Sequence, residues 1–114
     1  MHETALVSGI MKIVVEQLAK NNLKKLTKVK LIVGEYSGAV PDALRFAFMA
    51  TVAGSIHEKA EMEIEEIRAQ AQCRFCEAVF TYEAGMTCPH CEGIAPKIVK
   101  GNELYIDYIE ADEG

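Results

Sequence analysis

An α+β fold is predicted: a small two-helix, three-strand, antiparallel-type layer with a cysteine module inserted before its last strand. Three observations carry this reading. Two stretches repeat their apolar residues every three or four positions, and three stretches alternate apolar with polar residues. Four cysteines stand as Cys73-Arg74-Phe75-Cys76 and Cys88-Pro89-His90-Cys91, with eleven residues between the pairs. The doubled Cys-x-x-Cys gives the insert the pattern of a zinc-ribbon (rubredoxin-like) module. Residues 1–68 with 99–114 are assigned to the α/β layer and residues 69–98 to the module.

The elements follow in order. Residues 4–20 line up Leu6, Val7, Ile10, Met11, Val14 and Leu18 on one face of a helix, which Asn21 and Asn22 terminate. Residues 28–35, KVKLIVGE, set Val29, Leu31 and Val33 against Lys28, Lys30 and Ile32, a first strand. Pro41 suits the first turn of a second helix, and Asp42 complements its positive end. Leu44, Phe48 and Val52 continue that helix with Ala47 beside them, and Gly54-Ser55 ends it. Residues 60–67, AEMEIEEI, place Met62 and Ile64 opposite Glu61, Glu63 and Glu65, a second strand with a solvated acidic face. Its alternation slips at Glu66-Ile67, which signals a bulge or a break. Gly101-Asn102 marks a turn, and residues 103–109 form a third strand with Leu104, Ile106 and Tyr108 facing one way. The two strands that flank the insert are expected to be antiparallel neighbours, and the acidic tail EADEG to be mobile.

Of the 114 residues half are apolar and a quarter charged, the balance of a globular protein. No apolar run approaches the roughly 18–20 residues that span a bilayer, and the polar start does not resemble a secretory signal. The expected location is the cytoplasm, with no membrane partner. The net charge of −5 argues against nucleic acid as a partner. Lys20, Lys24, Lys25, Lys28 and Lys30 cluster, and read as a solvated helix end and loop. There is no phosphate-binding loop, dinucleotide-binding glycine fingerprint or nucleophile elbow. A binding or delivery protein is expected, not an enzyme.

Four cysteines in a reducing compartment point to metal before disulfide. Cys73, Cys76, Cys88 and Cys91 suit tetrahedral zinc; iron in a rubredoxin-like site comes second, and a redox pair of disulfides third. So short a module has little core, so the metal supplies much of its stability. Phe75, Phe80 and Tyr82 are candidates for an apolar pad around it. A complete Cys₄ shell has no open position and is structural. Loaded with zinc, it would take the net charge from −5 to about −7. His90 would have to displace a cysteine to coordinate, and His57 has no partner in sequence.

The start, Met1-His2-Glu3, offers a second site. Bulky His2 should keep Met1 in place. The Met1 amine, the His2 amide nitrogen and the His2 imidazole can close fused chelate rings, and the Glu3 amide can take a fourth corner. Nitrogen ligands in a plane favour Ni(II) or Cu(II). The amides must lose protons, so affinity should rise with pH. Taken alone, these three residues read as a frayed chain end.

Met1-His2-Glu3, Gly34-Glu35, the paired Cys-x-x-Cys and Gly101-Asn102-Glu103-Leu104 before a final strand together resemble the HypA/HybF family of hydrogenase-maturation nickel metallochaperones. The resemblance spans essentially the whole chain. It implies a nickel-binding α/β domain and a separate zinc domain. The nickel ligands would be Met1, His2 and Glu3, with Ni(II) as transferred cargo. Structural Zn(II) would be held by Cys73, Cys76, Cys88 and Cys91. The implied partners are an accessory nickel GTPase and the [NiFe]-hydrogenase large subunit, with urease also served in some bacteria; a homodimer is compatible with this reading. The competing reading is a small zinc-ribbon adaptor that binds nucleic acid or protein.

Overall fold

The computed structural model describes residues 2–114. Helix α1 (Glu3–Lys20) leads into strand β1 (Lys25–Gly34), helix α2 (Pro41–Val52) and strand β2 (Glu61–Ile67). Three short strands follow, β3 (Gln70–Gln72), β4 (Val79–Thr81) and β5 (Lys97–Lys100), and then the long β6 (Leu104–Asp112). Among the described residues no helix is long and apolar enough to cross a membrane.

The α+β class and the cysteine-bearing insert stand as the sequence predicts. Val7, Ile10, Val14 and Leu18 of α1, and Leu44, Ala47, Phe48 and Val52 of α2, are buried against Val29, Leu31, Val33 and Met62 of the sheet. Asn22 takes a left-handed φ of 56° just after α1, a conformation asparagine tolerates better than most residues.

The strand order differs from expectation. The first sheet runs β2-β1-β6, with β2 parallel and β6 antiparallel to β1. The strands flanking the insert are therefore not neighbours; they occupy opposite edges of β1, and the sheet is mixed. The reason lies in α2. A helical crossover returns the chain in the same direction, so β2 must pair parallel to β1. With that edge filled, β6 takes the other. β1 is buried from Leu31 through Gly34, which suits the central place.

Two further expectations change at β6. Its register against β1 shifts between Lys30↔Tyr108 and Leu31↔Ile106, a bulge at Asp107. The bulge flips the phase of the strand. Leu104, Ile106, Ile109 and Ala111 face the core, and Tyr108 turns to the open face, where Lys28 and Lys30 lie 5.8 Å and 5.7 Å from its ring centre. The acidic tail is also held to the sheet: Lys24 N–H donates to the Asp112 carbonyl at 3.0 Å.

The acidic face of β2 meets the lysines of β1. Lys28 Nζ lies 3.3 Å from Glu63, and Lys30 Nζ 3.1 Å from Glu65 and 3.6 Å from Asp107. Hydrogen bonds raise both ammonium pKa values, from Tyr108 and then Glu63 for Lys28, and from Glu65 for Lys30. Part of the predicted basic cluster is thus absorbed into cross-strand pairing.

The molecule is elongated, 57 × 24 × 17 Å, with a radius of gyration of 18.0 Å. A compact chain of this length would have about 13 Å. The excess reflects the second sheet, ordered β4-β3-β5, which projects from the first.

Candidate metal centre

Two backbone knuckles build the site, and they are near copies. In the first, Cys73 N–H donates to the Ala78 carbonyl at 2.9 Å and Glu77 N–H to the Cys73 carbonyl at 3.2 Å. In the second, Cys88 N–H donates to the Gly93 carbonyl at 2.9 Å and Glu92 N–H to the Cys88 carbonyl at 2.9 Å. Each turn closes through a glutamate in the left-handed region, Glu77 at φ 64° and Glu92 at φ 63°. That backbone is costly for a side chain bearing a Cβ. Its repetition at matching positions shows that both turns are shaped to one purpose.

The purpose is to aim sulfurs inward. The Sγ atoms of Cys73, Cys76, Cys88 and Cys91 all lie within 4.8 Å of one another. Cys73 and Cys91 sulfurs stand 3.4 Å apart, and those of Cys76 and Cys88 3.6 Å. A disulfide would need about 2.05 Å. A tetrahedral zinc with Zn–S of about 2.3 Å separates its sulfurs by about 3.8 Å. The donor set therefore fits a tetrahedral thiophilic ion. Phe75 and Cys76 N–H groups donate to the Cys73 sulfur, and His90 N–H to the Cys88 sulfur, each at 3.4 Å. Such bonds offset thiolate charge.

The amides of Cys76 and Phe75 bring the Cys73 pKa down to about 6. At Cys91 the Gly93 amide acts downward but is outweighed by the adjoining Cys73 sulfur and by burial, and the thiol is pushed up to about 12. Four sulfurs in contact do not ionise together without a cation.

Gly93 completes the enclosure. A Cβ there would stand 2.6 Å from the Phe75 ring, 3.2 Å from the Cys73 sulfur and 3.3 Å from the Cys91 sulfur. The expected apolar pad is smaller than the sequence suggested. Phe75 is largely exposed, and Tyr82 turns away to meet Tyr36 edge-on at 6.2 Å. Phe80 pairs with Ala71 across β3 and β4. His90 is exposed and is not among the converging ligands. His57 does have a partner: its Nδ1 accepts the Leu26 N–H at 3.0 Å, covering a stretch of β1 that β2 does not reach.

In the first domain, His2 is exposed and caps α1 in extended conformation, with its carbonyl accepting the Leu6 N–H at 3.1 Å. Glu3 is the first helical residue and is half-buried. Met1 lies outside the described residues.

Sequence reasoning noticed Gly34-Glu35 and Gly101-Asn102-Glu103 without seeing their job. They join the two sheets. Gly34 N–H donates to the Glu103 carbonyl and Tyr36 N–H to the Gly101 carbonyl, both at 2.7 Å. The Glu35 carboxylate accepts the Ala69 N–H at 2.8 Å, and the Glu103 carboxylate the Gly101 N–H at 2.8 Å. A Cβ at Gly34 would collide with the Gly101 backbone. Glycines on both sides of a strand end signalled the close approach.

A family model described as hydrogenase/urease nickel incorporation, metallochaperone, HypA matches residues 1–111. The chain belongs to the HypA family. Among relatives, the hydrogenase maturation factor HypA of Lawsonia intracellularis is 39% identical over 98% of this chain and 100% of its own. That of Desulfitobacterium hafniense is 35% identical over 99% of this chain and 100% of its own. The solution structure of the Ni metallochaperone HypA from Helicobacter pylori matches with a TM-score of 0.66 at 26% identity, covering 100% of both chains. A second HypA solution structure matches with a TM-score of 0.72 at 26% identity, covering 100% of this chain and 98% of that one. HypA membership makes the protein a non-enzymatic nickel metallochaperone of hydrogenase and urease maturation.

Proposed function

We propose that this protein carries Ni(II) at its N-terminus and hands it on during maturation of [NiFe]-hydrogenase, and that its four cysteines hold a structural Zn(II). The ligands for the nickel cargo are the Met1 amine, the His2 imidazole and amide, and the Glu3 amide. One observation carries this reading. The first backbone bond of α1 runs from Leu6 N–H to the His2 carbonyl. The His2 and Glu3 amides precede it and have no intrahelical acceptor, so they can lose protons to a metal without breaking the helix. The resulting negative charge sits at the positive end of α1, where it is stabilised. Such a terminal chelate can release its ion one ligand at a time.

Zinc at Cys73, Cys76, Cys88 and Cys91 supplies a cross-link between the two knuckles. The chain divides functionally into a nickel domain, 1–68 with 99–114, and a zinc domain, 69–98. The partners are an accessory GTPase that supplies or receives nickel and the hydrogenase large subunit that accepts it. Delivery takes place in the cytoplasm, and a homodimer is compatible with it.

His2→Ala should lower Ni(II) affinity at least about 100-fold while fold and zinc content persist. Isothermal titration with nickel, alongside metal analysis, measures it; equal affinity would remove the N-terminal site. An extension ahead of Met1 should have a similar effect, because it removes the free amine. The adaptor reading would instead gain from salt-dependent nucleic-acid binding with no nickel affinity.

A further inference from the structure

We infer that the free edge of β6 and the groove between β6 and α1 form a docking site for an extended peptide strand of alternating apolar and basic residues. Three observations support it independently of either metal.

The first is the edge. β6 ends the β2-β1-β6 order, and no backbone hydrogen bond among the described residues reaches its outer side. Gly34 N–H bonds to the Glu103 carbonyl, so the opposed pair Gly34 and Glu103 is the hydrogen-bonded kind. The pairs Val33↔Leu104 and Leu31↔Ile106 are then the other kind, and Leu104 and Ile106 turn their N–H and C=O groups outward. An unpaired row of this sort accepts another strand.

The second is the groove. Ala5, Leu6, Gly9 and Ile13 of α1 face Leu104 and Ile106 across a channel of about 520 Å³. Leu104, Ile106, Ile109 and Ala111 face the core yet stay half-exposed. Gly9 leaves the channel open, since a Cβ there would meet nothing within 4 Å. An incoming strand would place every second side chain in this channel.

The third is charge. Residues 101–114 contain five carboxylates, Glu103, Asp107, Glu110, Asp112 and Glu113, and no lysine, arginine or histidine. Among the described residues only Asp107 of the five has an ion pair, with Lys30. The side chains that an added strand turns to the open face would lie beside Glu103, Tyr105 and Asp107, which alternate with Leu104 and Ile106. Lysine or arginine at those positions is complementary. The same charge disfavours a second copy, because β6 paired with β6 would bring carboxylates together without a cation. The bulge at Asp107 breaks the edge and confines docking to its first half.

The test uses the full-length protein and the capped peptides KVKIKVK and EVEIEVE. KVKIKVK should bind below about 1 mM and slow hydrogen exchange at the Leu104 and Ile106 amides. EVEIEVE should bind about tenfold more weakly or worse. Gly9→Leu fills the channel with a good helix former, so its melting temperature should hold while KVKIKVK affinity falls at least about tenfold. Absence of KVKIKVK binding, equal binding by Gly9→Leu, or binding without protection of those two amides would each overturn the proposal. Self-association that protects the same amides would assign the edge to a second copy instead, and would overturn it too.

Discussion

Cys88→Ser is expected to strip the metal from the cysteine cluster and unfold the β4-β3-β5 sheet while leaving the helices and first sheet folded. The imbalance of the two cores explains why. The first sheet buries thirteen side chains in one cluster. In the second, the buried apolar residues are Ala69, Ala71, Cys73 and Cys88, two of them members of the cysteine cluster. Two alanines stabilise by only about 1–2 kcal/mol in total, against roughly 10–16 kcal/mol for structural zinc in small modules. Removing one thiolate forfeits most of the latter. Amide NMR signals from residues 70–100 should collapse to unfolded positions while those of residues 5–67 stay dispersed. A metal-free variant with an ordered second sheet would contradict the assignment. Protons give a related handle. At neutral pH the metal must displace protons from Cys91, held up to about 12, and from Cys76, also raised, while Cys73 near 6 is already a thiolate. Affinity for zinc should therefore rise with pH, by about tenfold per unit for each proton released. Competition titrations between pH 6 and 8 read that slope directly.

Gly34→Ala should destabilise the first sheet by about 3 kcal/mol and disturb its join to the second. The added methyl would meet the Gly101 backbone and, at 2.7 Å, the Glu103 amide nitrogen. Neither is the end of a flexible side chain, so relief requires strands to move apart. That would lengthen the Gly34 N–H···Glu103 and Tyr36 N–H···Gly101 bonds, now both 2.7 Å. Chemical denaturation gives the stability change, and relaxation or small-angle scattering gives the loosened join. Wild-type stability with an unchanged radius of gyration would show that the junction yields more easily than its geometry implies.

The helices were legible because each is one amphipathic stripe whose partner is the whole core; local periodicity suffices. Val29, Leu31 and Val33 were legible for the same reason. The neighbours of β1 were not, because alternation fixes which face of a strand is buried but not which strand lies beside it. The crossover through α2 held that information, since a helix between two strands calls for parallel pairing. Tyr108 was misplaced because a bulge at Asp107 leaves no mark in the apolar-polar pattern except the unexplained Ile109, which follows one residue later. The clustering of the four cysteines was legible: two Cys-x-x-Cys turns in one short module bring all four sulfurs within 4.8 Å of one another. The join at Gly34, Glu35, Gly101 and Glu103 was visible only as small and acidic residues. Its carboxylates accept backbone N–H groups from distant segments, a contact with no sequence period.

The placement of the insert bears on how a newly made chain assembles. Val33 of β1 meets Leu104 of β6 only after the chain between them has been gathered in. Left loose, that stretch is a loop of about 70 residues; with α2, β2 and the knuckles already folded, the effective span shrinks to about 10. The loop-closure entropy falls by about 2 kcal/mol, enough to speed docking of the last strand by more than about tenfold. The ion would then set the tempo at which a sheet containing none of its ligands reaches completion.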